Sequence, residues 1–88
     1  MKIEADNSSI GSHRTGTLNN ITVDEINQIL GFTPNVDDDP YKVVNSWQFR
    51  AGDHICAIWD YKGSHEYGSF SAFGDASTLR NIFGDRYS

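Results

Sequence analysis

The sequence predicts an α+β domain, a three-stranded antiparallel meander with one helix before it and one after it. Three observations carry this prediction. A capping box opens an apolar stripe of helical period at residues 22–30, the period shifts to two over residues 41–61, and a second capped stripe follows at 75–83. A chain of 88 residues has room for one hydrophobic core.

From Met1 to Asn20 the chain is rich in Ser, Asn, Thr and Gly, and Ile3, Ile10 and Leu18 follow no period. Residues 1–20 therefore read as an arm or long loop, with at most a short strand at Lys2 to Ala5, ahead of a single domain over residues 21–88. Thr22 and Glu25 then stand at capping-box spacing, with Ile21 and Ile26 placed as a hydrophobic staple around the cap. A helix is expected from Val23, with Val23, Ile26, Ile29 and Leu30 as one apolar stripe, and Gly31 stops it.

A polar linker from Thr33 to Pro40 carries Asp37, Asp38 and Asp39. Beyond it Tyr41, Val43, Trp47 and Phe49 alternate with Lys42, Ser46, Gln48 and Arg50, as in a strand with one buried face. The next strand, His54 to Tyr61, sets Ile55, Ala57, Trp59 and Tyr61 on one side. Loop length decides how these faces combine, because a slip of one residue turns every side chain over. A three-residue loop, Ala51-Gly52-Asp53, is expected. It pairs Phe49 with Ile55 and Trp47 with Ala57, so both indoles are buried together; a two-residue Gly52-Asp53 loop would separate them. A third strand runs from about Tyr67 to Phe73, its parity left open. Asp75 caps a final helix over Ala76 to Phe83, with Ala76, Leu79, Ile82 and Phe83 as its stripe and Gly84 as its stop.

A net charge of -5, with no two basic residues adjacent, argues against direct binding to nucleic acid. The single cysteine, Cys56, has no internal partner, which fits a reducing compartment. Residues 1–16 contain no apolar leader core, and no run has the length of a membrane span. A cytoplasmic protein without a membrane partner is expected.

Signals for catalysis or metal binding are thin. His54 and Cys56 share a strand face but lack a third, orienting group, so both read as structural. A metal site of His54, Cys56 and His65 lacks paired-cysteine spacing, and the aspartates at 37–39 lack the alternation of a calcium loop. No enzyme activity, metal or cofactor is expected. The 61–66 segment lacks the spaced glycines of a phosphate loop and reads as a hairpin connection. The stretch Gly11 to Gly16 holds His13 and Arg14 between two glycines, a pattern that suits either an anionic ligand or a plain arm. On the expected reverse face Val44, Cys56 and Ile58 sit among Gln48, Arg50, His54 and Asp60. Such a face suits an interface, or a seat for the N-terminal arm.

The stretches Trp47-Gln48-Phe49, Ile58-Trp59-Asp60-Tyr61-Lys62-Gly63 and Leu79-Arg80-Asn81-Ile82-Phe83-Gly84, with the small size and acidity, resemble the phage-encoded inhibitors of bacterial immunity known as anti-CRISPR-like accessory proteins. The resemblance implies an antagonist of host defence acting in the host cytoplasm, and assigns no residue a role. The first functional expectation is a non-enzymatic, stoichiometric inhibitor. It would bind a host protein with a basic surface through Asp37, Asp38, Asp39, Arg50, His54, Ile58 and Asp60. The alternative is sequestration of a small anion such as a nucleotide signal. Its pocket would lie between protomers of a homo-oligomer, with His13, Arg14, Lys62 and His65 taking the phosphates.

Overall fold

The computed structural model describes residues 2–6, 13–36, 43 and 45–88. Along the chain run β1 (Ile3–Ala5), β2 (Gly16–Leu18), α1 (Val23–Leu30), β3 (Ser46–Ala51), β4 (His54–Trp59), β5 (Phe70–Phe73) and α2 (Ala76–Phe83), with 3-10 turns at Ser64–Tyr67 and Gly84–Arg86. The strands form one five-stranded sheet in the order β1-β3-β4-β5-β2, each neighbour antiparallel.

This corrects the three-stranded expectation. The meander β3-β4-β5 is present, but it is the middle of a wider sheet whose two outer strands both come from residues 1–20. The edges of a bare meander would leave rows of backbone donors and acceptors unpaired, and the two short strands pair them. β1 falls within the short strand expected at Lys2 to Ala5, whereas β2, three residues long, is too short for a period-two pattern to register in the sequence. Leu18 of β2 is fully buried, so this segment is part of the core rather than an appendage.

Both helices form as their local signals require. Thr22 Oγ1 accepts from the Glu25 amide at 3.1 Å, Glu25 Oε1 accepts from the Thr22 amide at 3.2 Å, and Gly31 ends α1 in the left-handed region at φ 88. Asp75 caps α2 by accepting from the Thr78 amide and hydroxyl at 3.0 and 2.9 Å. The buried stripes, Ile26 and Leu30 on α1 with Leu79 and Phe83 on α2, press on one face of the sheet.

The hairpin between β3 and β4 is where the expected register fails. Ala51 pairs with His54, leaving only Gly52 and Asp53 in the turn. Gly52 takes φ 61 while Asp53 keeps a negative φ, the glycine-first pattern of a two-residue hairpin turn. Trp47 therefore lies opposite Ile58, and Trp59 opposite Ser46, so the two indoles point to opposite faces. The helical face already holds Trp47, Phe49, Cys56, Ile58 and Phe70, all at 1% exposure or less. The Trp47 indole crosses Phe70 in a T-shaped contact with centroids 5.9 Å apart, and its N–H donates to Asn27 Oδ1 on α1 at 2.9 Å.

The outer edge of β2 is closed by the chain's own last residues. The Thr17 amide donates to the Ser88 carbonyl at 2.8 Å and the Ser88 amide to Thr17 at 2.9 Å, with Tyr87 packed so closely over Gly16 that a Cβ there would lie 2.5 Å from its hydroxyl. Among the described residues no helix is long and apolar enough to cross a membrane.

Candidate functional site

Alternation along the strands assigns the face on which no helix packs among the described residues, the helix-free face. Ser46, Gln48 and Arg50 of β3, Ile55, Ala57 and Trp59 of β4, and Ser71 and Phe73 of β5 point there, flanked by Glu4 of β1 and Thr17 of β2. Its middle is apolar. Ile55, Trp59 and Phe73 are partly exposed around a buried Ala57, and the His13 ring meets Phe73 edge-on with centroids 5.6 Å apart. Its rim is polar and carries both signs, with the half-exposed Arg50 guanidinium 3.4 Å from the Asp6 carboxylate. An apolar centre within a polar rim is the composition of a protein contact surface.

Gln48 adds a second feature to this face. Its backbone is clamped by Asn35, whose Oδ1 accepts from the Gln48 amide at 2.8 Å and whose Nδ2 donates to the Gln48 carbonyl at 2.9 Å. Its side-chain Oε1 is shielded and meets no hydrogen-bond donor among the described residues. A shielded acceptor left without a donor costs roughly 1–3 kcal/mol, a cost that an incoming donor would remove.

The helical face carries the other notable group. Asp60 is fully buried. Its Oδ1 accepts from the Asn45 amide at 3.0 Å and its Oδ2 from the Asn45 side chain at 2.9 Å, and His65 Nδ1 lies 2.8 Å from Oδ2. His65 is brought there by the 3-10 turn Ser64–Tyr67, which is bounded by the left-handed Gly63 and Gly68. A buried carboxylate beside an imidazole is one part of an acid-base site, but His65 Nδ1 makes no aligned hydrogen bond among the described residues, and the neighbouring Ser64 hydroxyl is engaged as acceptor for the Tyr61 amide at 3.0 Å. The group ties the end of β4 to Asn45 and to the β4–β5 connection.

Of the expected partner-binding residues, Asp37, Asp38 and Asp39 lie outside the described residues. The other four do not share a surface. Arg50 is on the helix-free face, His54 is exposed at the rim of the helical face opposite Ala51, and Ile58 and Asp60 are sealed inside at 0% exposure. The cause is the loop length, since removing one residue from the turn exchanges the two faces of β4. The expected anion-binding residues are likewise split. His13 and Arg14 lead into β2 beside the end of β5, where the Gly74 amide donates to Thr15 Oγ1 at 3.1 Å, while Lys62 and His65 precede the start of β5. Lys62 sits over the Tyr61 ring at 5.4 Å.

Cys56 shares a face with His54 as expected, but it is buried, and that burial pushes its thiol up to about 11. Alkylation by iodoacetamide at pH 8 is expected to be undetectable in the folded protein and to proceed readily once urea exposes the thiol. Comparable rates in the two states would show that the core opens freely at this point. Among the described residues no three His, Cys, Asp or Glu side chains cluster to hold a metal ion.

Sequence reasoning missed Ile55, Trp59 and Phe73 as a surface. The signal that reveals them is Gly52-Asp53, a glycine-first pair suited to a two-residue turn. No family model matches the chain, and neither the curated proteins nor the solved structures searched contain a match to it.

Proposed function

We propose that this chain is a non-enzymatic binding protein that docks on a partner protein through the helix-free face of its sheet. The supporting observation is the apolar stripe Ile55, Trp59 and Phe73 on a face without helices, set within a polar rim. A partly exposed Trp on such a face is the residue type that dominates binding energy at protein contacts. The partner's contact surface carries positive charge, because a chain with net charge -5 is steered toward basic surfaces. Blocking a partner by stoichiometric occupancy requires nothing more than this face, so the inhibitor role belongs to the same reading. Of the described residues in the partner-binding set expected from sequence, Arg50 is the one that stays in it.

A photo-crosslinking side chain at Trp59, compared with one at Asp85, exposed in the turn that follows α2, tests the proposal in native cells. One dominant crosslinked protein with a basic surface is expected at position 59 and none at 85, the yield falling severalfold as salt is raised from 50 to about 300 mM. Identical background at both positions would remove the helix-free face from consideration.

A further inference from the structure

The geometry points to a second binding surface, the outer edge of β1, and to a second copy of this chain as its occupant. In the β1–β3 ladder the residues facing β3 are Lys2, Glu4 and Asp6: the Gly52 amide donates to the Lys2 carbonyl at 3.1 Å and the Asp6 amide to the Gln48 carbonyl at 3.0 Å. By alternation the backbone N–H and C=O groups of Ile3 and Ala5 point away from the sheet, and among the described residues nothing pairs with them. The opposite edge of the sheet has no such vacancy, because Arg86 to Ser88 bond to β2.

The segment Lys2-Ile3-Glu4-Ala5-Asp6 is complementary to itself. A two-fold axis at Glu4, normal to the sheet, sets Ile3 of one copy against Ala5 of the other as hydrogen-bonded antiparallel pairs, using all the outward backbone groups of both residues. Lys2 then stands opposite Asp6 of the second copy, a cross-strand pair of opposite charge. The two Glu4 carboxylates meet at the axis, each with its own Lys2 ammonium at 2.9 Å.

A second observation puts apolar surface at the same edge. Ile3, Ile29, Asn81 and Ile82 line an open hollow of about 310 Å³ on the helical side of β1, and Ile29 is 38% exposed. The same axis keeps the helices of both copies on one side of the joined sheet, so the two hollows face each other and cover Ile29. Backbone pairing alone would be weak, and the isoleucines add the desolvated contact that a lasting interface requires.

Light scattering across protein concentration tests this, with two variants. Ala5→Pro removes only an outward N–H, so β1 keeps its bonds to β3 while the edge is blocked, and Ile29→Lys charges the hollow at an exposed position. The wild type is expected at twice 9.8 kDa, and both variants at 9.8 kDa with unchanged near-UV circular dichroism. If Ala5→Pro fails to fold, Ile29→Lys decides by itself. A wild type that stays at the mass of one chain up to millimolar concentration overturns the proposal and leaves the edge to a different partner. A dimer that survives in every folded variant also overturns it.

Discussion

Trp47→Ala is expected to bring the protein to the verge of unfolding, whereas Trp59→Ala leaves it folded. Trp47 has no exposed surface, its ring packs against Phe70, and its N–H satisfies Asn27 on α1. Truncating a buried Trp costs about 3–5 kcal/mol, before counting the Asn27 acceptor left without a donor. A domain of this size is stable by only about 5–10 kcal/mol, so that loss removes a large part of the total. Trp59 lies across the sheet beside Ser46 and Ser71 and is partly exposed, and its truncation is expected to cost about 1 kcal/mol. Urea midpoints of the two variants measure the difference. Equal losses would mean that both indoles share one core, and the two-residue turn would then be wrong.

Removing the Asp60 carboxylate is expected to be nearly as damaging. Asp60→Ala leaves the Asn45 amide, the Asn45 side chain and His65 Nδ1 facing a void in a fully buried position. Each buried hydrogen-bond group left without its partner costs about 1–3 kcal/mol, and Asp60→Ala strands both Asn45 donors at once. Asp60→Asn keeps the shape but turns an NH2 toward donors, so it is expected to recover less than half of that loss. Asp53→Ala, at an exposed turn position, serves as the neutral control. Denaturation midpoints give the magnitude, and amide exchange over residues 60–68 shows where the damage lies. A loss below about 1 kcal/mol would show that the β4–β5 connection is anchored by something else.

The helices were legible in the sequence because their causes are local. A capping box, a staple and a left-handed stop act within one turn of the chain, so Thr22, Glu25 and Gly31 define α1 wherever it packs. The same holds for Asp75 and α2. The alternation in β3 and β4 was legible too, but which side of each strand is buried depends on whether two or three residues turn the chain at Gly52. Gathering both tryptophans on one face favours the three-residue turn. The choice went the other way because the face built on Trp47, Phe49 and Phe70 is completed by Cys56 and Ile58, leaving Trp59 to the other side.

The candidate site depended on that turn. Ile58 and Asp60 belong to the interior, and Ile55 and Trp59 to the surface, through a change of one residue in a loop. Where helices begin and end and the period of the long strands follow from the sequence alone, because each is set by neighbours a few positions apart, and the sign of the charge follows from composition. The register of the hairpin, the pairing of residues 3–5 and 16–18 at the two edges of the sheet, and the face to which Ile55, Trp59 and Phe73 belong are settled by tertiary structure alone. Those depend on contacts between segments distant in the chain, where the need to pair sheet edges and fill one core outweighs any local preference.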